Sequence, residues 1–331
     1  MFVPTPAALL TLADPWPASS ALTPLPSVNM VERGFRTAHT HQTVLGLEHT
    51  AAGATLTARY VHAAGRALAR KRNINQPAPG PGALDPRRPI AGFGDILVVE
   101  SGARSTYHGL QLALDRPLRD GLEAHAAWTW SRSVDDASAF LATDGNDNTP
   151  QDSRDVAAEW GPSDFDVRHR AVLSLIWAPA ARAWPWRDWQ IAALVSAQSG
   201  RPFTPRLSTD NSNTGNTGGA TFASDRPDVV APGQGVAAYG GYGFALPARY
   251  TFGTAGRNIL RGPGAVAVDV SVGRRLRRGA RRALEIRLEA FNVFNRRNGA
   301  LPDSFVDHAT FGQSLSAAPG RQWQIVGRLG F

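Results

Sequence analysis

The feature that most constrains this chain is an alternation of apolar and polar residues with period two, repeated in segment after segment. Leu122, Ala124, Ala126, Trp128 and Trp130 point one way, and Glu123, His125, Ala127, Thr129 and Ser131 the other. Trp189–Gln198, Val266–Gly273 and Gln322–Phe331 repeat the pattern, and weaker copies run at Thr43–Thr50, Thr55–Val61, Tyr107–Arg116 and Arg168–Trp177. Period two is the signature of strands with one apolar face. Ala283–Asn295 also fits an amphipathic helix through Leu284, Leu288 and Phe291. The strict alternation of Leu284, Ile286, Leu288 and Ala290 with Glu285, Arg287 and Glu289 favours a strand there, at least up to Phe291. The chain is expected to be almost purely β, with no helix beyond a turn or two.

The connections between these segments come in two alternating kinds. Tight ones lie at Ala51–Ala54, Leu118–Gly121, Ala178–Arg187 and Leu276–Arg282; long polar ones at Gly65–Arg104, Asp135–Phe165, Arg201–Gly264 and Arg296–Gly320. Repeated long loops argue against a compact soluble domain. Short turns at one end, long loops at the other and strands of about ten residues are the pattern of a transmembrane barrel. The apolar face then meets lipid and the polar face lines the lumen. Open sheet edges are not tolerated in lipid, so the strands must close with others.

Composition narrows the alternatives. No cysteine is present, which excludes disulfide frameworks and thiolate chemistry. The 35 Lys+Arg against 27 Asp+Glu give +8, yet Lys71 is the only lysine, a balance that fits codon bias better than a nucleic-acid surface. No run of 18 apolar residues suggests a membrane helix, and the first 30 residues show no basic stretch ahead of an apolar core, so no secretory signal is visible.

Individual motifs point to no enzyme. The basic run Arg274–Arg282 lacks interleaved aromatics for stacking on bases and reads as a hairpin turn near anionic headgroups. Asp144–Asn148 (DGNDN) opens like a calcium loop, but Thr149 stands where the turn glycine belongs. His39 and His41 share a strand face with no third ligand at a telling spacing. Asp135, Asp136 and Asp166 sit at strand–loop junctions without a nucleophile or oxyanion device. Asp164–Arg170 reads as a strand start, and Tyr239–Gly243 (YGGYG) as a flexible loop. Neither cofactor nor metal is expected.

Several blocks carry a resemblance. STYHGLQLALDRPLRDGLEAHAAWTWSRS (105–133), GPSDFDVRHRAVLSL (161–175), SAQSGRPFT (196–204), TFGTAGRNILRGPG (251–264) and LEIRLEAFNVFN (284–295) resemble the barrel of TonB-dependent outer-membrane receptors, specifically the Oar-like group. ARYVHAAGRALARKRNINQPAPG (58–80) is similar to the strand and outer loop that precede them. The likeness runs from about Phe35 to the end, in matching order. It implies a family architecture of signal peptide, N-terminal β-sandwich, plug and 22-stranded barrel, with energised import through the TonB complex. No segment here resembles the signal, the plug or the energy-coupling box. The chain is expected to be the C-terminal part of such a barrel, and any dealing with TonB to pass through a plug outside it.

The resulting expectation is an all-β, antiparallel transmembrane barrel in part, of about nine or ten strands, in the outer membrane of a Gram-negative bacterium. Residues 1–38 are expected to be irregular or an outer-loop remnant, and 39–331 to be barrel. Nine strands count if Gly94–Glu100 belongs to an outer loop. Nine also makes the first and last strands run the same way, whereas single-chain bacterial barrels have even numbers. Tyr60, Tyr107, Trp128, Trp130 and Trp323 are assigned to an outer aromatic girdle, and Trp177, Trp189 and Phe331 to an inner one. Gln111, Glu123, His125, Thr129, Gln190, Ser196, Asp269, Glu285, Arg287 and Glu289 are assigned to the lumen wall. Trp323, Ile325, Leu329 and Phe331 are read as the signal for the barrel assembly machinery. The partners are outer-membrane lipid and that machinery, with no nucleic acid. A soluble or surface-attached β-rich binding or adhesion module is the alternative reading; it requires the apolar faces to pack on each other in water.

Overall fold

The computed structural model describes residues 25–139, 149–179, 188–216, 224–278 and 282–330. Among the described residues nine long strands follow one another: β1 (His39–Ala51), β2 (Ala54–Asn73), β3 (Ile96–Arg119), β4 (Leu122–Asp135), β5 (His169–Trp177), β6 (Trp189–Gln198), β7 (Ala265–Arg278), β8 (Arg282–Phe291) and β9 (Gln322–Gly330). Each pairs antiparallel with its chain neighbour, so spatial order equals sequence order. Among the described residues no ladder joins β1 to β9, and the sheet is an open wall. The only helical turns described are two short 3-10 segments, Asp85–Arg87 and Val156–Glu159. Ala283–Asn295 is strand as far as Phe291, then turns at Asn292 and Asn295, both at positive φ.

Two of the four tight connections are described, while 180–187 and 279–281, within the other two, fall outside the described residues. Ala52–Gly53 and Asp120–Gly121 are two-residue turns with positive φ at both positions (52° and 77°, 53° and 80°). That is the geometry whose twist matches the flanking strands. At the opposite rim the chain leaves the sheet between β2 and β3, β4 and β5, β6 and β7, and β8 and β9. The first of these excursions is shorter than the sequence suggested. Rather than a loop over Gly65–Arg104, β2 runs on to Asn73 and β3 begins at Ile96, with bulges near Leu68. Within Gly94–Glu100, Ile96–Glu100 therefore forms the outer end of β3, not a tenth span. At 20 and 24 residues these strands far exceed the 9–11 needed to cross a bilayer, so their outer ends project beyond it. The N-terminal segment is not wholly irregular: Val28–Val31 pairs parallel with Ile96–Val99 on that projection.

Register sorts the side chains cleanly. One row runs Leu47, Ala58, Leu112, Trp128, Ala171, Ala197, Val266 across seven strands, and the next Leu56, Leu114, Ala126, Leu173, Val195, Val268. A third runs Leu122, Trp177, Ile191, Val272, Leu288, Ile325. On the other face lies Arg59, Gln111, Thr129, Arg170, Gln198. Leu47, Leu56, Leu114, Leu288 and Ile325 are all exposed. A single sheet with continuous apolar rows open to its surroundings has no stable form in water. It does in lipid, once the open edges of β1 and β9 are paired with further strands so that every backbone group is satisfied.

The hydrophobic core sits elsewhere. Phe203, Leu207, Phe244, Leu260 and Val306 form a buried cluster within the outer excursions, edged by Tyr239, Leu301 and Phe311. The tract Tyr239–Gly243, expected to be a flexible loop, is a tight hairpin: Ala237–Tyr239 pairs with Tyr242–Ala245 across Gly240 and Gly241. Its Tyr239 ring packs on Phe203 and Phe311.

Candidate functional site: polar wall and outer cap

All ten residues assigned to the lumen share one face. Gln111 pairs with Thr129, and Glu123, His125 and Ser196 stand in the neighbouring rows. Gln190, Asp269, Glu285, Arg287 and Glu289 continue them across β6, β7 and β8. They also interact. His125 lies between Asp115 (Nδ1 to Oδ2, 3.0 Å) and Glu123 (Nε2 to Oε1, 3.0 Å). Arg287 reaches Glu289 at 2.8 Å and Glu285 at 3.9 Å. Asp269 accepts the backbone N–H of Asn292 (2.8 Å), tying the wall to the excursion after β8.

The aromatic assignments divide. Tyr60, Trp128, Trp130, Trp177, Trp189 and Trp323 lie on the apolar face, as do Ile325 and Leu329. Tyr60 and Trp130 share a row near the outer rim through Leu110. Trp177 lies beside the inner turns and Trp323 beside the outer end of β8. Tyr107 does not belong with them. Odd-numbered residues of β3 face inward with Gln111, and Tyr107 lies over Gly109, where a Cβ would clash with its hydroxyl oxygen. The missing side chain of Gly109 makes the seat for that ring. Phe331 and Asp144–Asn148 fall outside the described residues.

Over the polar wall the outer excursions form a cap built largely from buried polar groups. Asn75 donates to the carbonyls of Ile90, Phe93 and Gly94 and accepts from the Ile90 N–H. Gln76 accepts from Ser153 N–H (2.7 Å) and donates to Gln151 O (2.9 Å) and Asn216 Oδ1 (3.1 Å). Asp225, fully buried, accepts from Ser212 N–H (2.6 Å), Ser212 Oγ (3.0 Å) and Asn216 Nδ2 (2.8 Å). Burial pushes its carboxyl up to about 6, against those hydrogen bonds and with help from the charge of Asp210.

Ion pairs tie distant excursions together. Arg257 pairs with Asp135 and lies 3.5 Å from Asp164; Arg226 pairs with Glu159; Arg261 pairs with Asp166. Asn258 completes the set by donating to Asp164 Oδ1 (2.7 Å). Asp164 and Asp166 are thus more than a strand start. Together with Asp135 they are the acidic half of a clasp whose basic half is Arg257-Asn258-x-x-Arg261. Sequence reasoning found both segments and missed that they meet. Their opposite charges, in two blocks sharing the same resemblance, were the available signal. Asp136 is occupied separately, 3.7 Å from each of Arg70 and Arg104. In the basic run, Arg274 stacks over Trp189 (5.5 Å), and Arg278 pairs in register with Arg282 across the turn. His39 and His41 are edge-to-face neighbours at 5.6 Å. Among the described residues no group of three or more histidine and carboxylate side chains could hold a metal.

A one-layer antiparallel wall, apolar outside, polar inside, with tight turns at one rim and a folded cap at the other, defines an outer-membrane β-barrel protein. Residues 3–324 match the family described as outer membrane beta barrel domain, and the chain belongs to it. Among solved structures it is similar to the outer membrane transporter YddB from Escherichia coli (11% identity, TM-score 0.48, covering 89% of this chain and 33% of that one). It is also similar to the ferric enterobactin receptor PfeA of Pseudomonas aeruginosa, solved as a mutant (14%, 0.47, 89% and 32%). The FrpB iron transporter of Neisseria meningitidis is a third (12%, 0.43, 92% and 32%). The chain spans about a third of the length of these structures. No curated protein matches it.

Proposed function

We propose that this chain is the C-terminal wall and cap of an outer-membrane receptor of the TonB-dependent type, of the Oar-like group. On this reading it takes part in energised uptake of a large substrate. The observation that carries the proposal is the pairing of a polar inner face with a cap that is itself a folded, cross-linked unit. A pore that merely leaks needs no such roof, whereas a receptor needs an ordered outer surface. The resemblance of the blocks 105–133, 161–175 and 251–264 supports the subtype, since two of them supply the clasp. Energy coupling through TonB enters by way of a plug. The barrel assembly machinery reads the final strand, with Trp323, Ile325 and Leu329 aligned on its outward face and Phe331 following. A soluble adhesion module is disfavoured, because the described apolar rows pack on no second layer.

The test is carried out in the source bacterium. Deleting the coding region for residues 39–331 should abolish depletion of one or more large solutes from the medium. Removing TonB should abolish the same depletion. An unchanged depletion profile, with the parent protein demonstrably in the outer membrane, would count against transport. Deleting Phe331 alone should lower outer-membrane insertion with synthesis intact, with Arg278→Gln as the turn control.

A further inference from the structure

The outward face of the wall changes character just above the Tyr60–Trp130 row. The next row outward is Thr43, His62, His108, Arg132 on four adjacent strands, followed by His41 and then by His39 opposite Arg66. Tyr60 Oη lies 2.8 Å from His108 Nδ1, and the His62 and His108 rings are 4.6 Å apart. His108, Arg132 and Arg66 are exposed, and among the described residues no carboxylate pairs with either arginine. Just past the outer end of β4, Asp136 is held by Arg70 and Arg104. Four residues below, on the same face, lies a shallow apolar groove of about 290 Å³. Ala126 and Ala171 give it depth, and Leu56, Leu112, Leu114 and Trp128 wall it. At 3.3 Å per residue, groove and donors are roughly 13 Å apart along the strands.

From this juxtaposition we infer that the outward face of β2–β5 holds one phosphate-bearing lipid of the outer leaflet. Its phosphate sits on His62, His108 and Arg132, and an acyl chain lies in the groove lined by Leu112 and Trp128. Imidazole N–H and guanidinium groups are donors suited to phosphate oxygens. Aromatic residues separate headgroup from acyl depth, as at membrane interfaces generally. The groove alone would take any chain and the basic row alone any anion. Their stacking on one face selects an anionic amphiphile. The inference requires only that the chain resides in the outer membrane; it is independent of the transport reading.

The test uses the full chain extracted from outer membranes in mild detergent, delipidated and offered diphosphoryl lipid A, with native mass spectrometry counting bound lipid. The parent should retain one lipid per chain. His108→Ala and Arg132→Gln should each weaken retention roughly tenfold, the effect of losing one hydrogen bond to a charged group. Ala171→Phe, which fills the groove, should also release the lipid. Arg59→Gln, at similar height on the inward face, should bind as the parent does. Unchanged retention in His108→Ala and Arg132→Gln would overturn the site, as would equal retention of dephosphorylated lipid A. Full retention in Ala171→Phe would overturn the lipid seat in the same way. Should His108→Ala fail to insert, Arg132→Gln decides the question, because that exposed side chain supports no packing.

Discussion

The wall and the cap solve the same problem, satisfying a polar backbone, by opposite means. In the wall, ladders between sequence neighbours pair the backbone, and apolar side chains remain exposed, Leu47 at 80% and Ile325 at 77%. In the cap, strands are two to four residues long and side chains replace ladders: Asn75 alone makes four bonds to backbone groups. Asp135, Asp166, Asp225, Asn75 and Asn258 are almost wholly buried, next to a core around Phe203 and Phe244. The wall is stable where water is excluded from one of its faces; the cap is stable in water because it excludes water from its own centre. A substitution should therefore act in opposite ways in the two regions. Charge is tolerated on one face of the wall only, whereas in the cap's ion pairs the removal of one partner is what does damage.

The largest effect is expected from Arg257→Ala, which leaves Asp135 and Asp164 buried without their partner. Breaking such a pair from one side costs about 3–5 kcal/mol. Limited proteolysis should cut the excursions while the strands stay protected; an equally protected cap would show that the clasp is dispensable. Next comes Leu288→Arg on the lipid face. In the assembled barrel it should cost roughly 2–4 kcal/mol near the midplane, while Gln190→Arg on the wet face should cost much less. Equal losses in a reconstituted barrel would mean the faces are misassigned. Gly109→Ala should cost about 1–3 kcal/mol by displacing the Tyr107 ring from its seat. The variant Gly109→Ala/Tyr107→Ala should recover part of that loss in urea unfolding.

The smallest effect is a pH dependence confined to the cap. Asp225 is held at about 6, above its ordinary 3.8, so the folded cap binds its proton more tightly than the unfolded chain does. Its contribution is fully present below about 4 and is lost as pH rises through about 6. Asp225→Asn should flatten the pH dependence of the cap's melting midpoint over that window. A parent whose midpoint does not fall between pH 4 and 7 would remove Asp225 as a titrating group.

The two regions were also unequally legible in the sequence. The wall announces itself because alternation is local: Leu122 to Trp130 fixes a face without reference to anything outside the segment. The nine described staves and the outward place of Trp128, Trp177 and Trp323 follow from that. Tyr107 shows where such reading slips, since its aromatic character suggested a girdle while its parity with Gln111 placed it inside. The cap obeys no period. Gln76 meets Asn216, and Arg257 meets Asp135, across 140 and 122 residues. Nothing in the local pattern around Asp164–Arg170 says which arginines will reach it. The lengths of β2 and β3 were underestimated for a related reason: beyond the bilayer, strand residues need no apolar face, so the alternation fades while the ladder continues.

The clasp has a mechanical consequence. At the inner rim, the two-residue turns at Ala52–Gly53 and Asp120–Gly121 fasten β1 only to β2 and β3 only to β4. At the outer rim, Arg257 and Arg261, from the excursion joining β6 to β7, grip Asp135 and Asp166, at the end of β4 and just before β5. The outer end of the wall is thus braced across non-adjacent staves, whereas each of these two turns links a single pair. Shear between staves meets more resistance near the cap than near the turns. The clasp therefore makes the outer mouth a frame for the staves it spans.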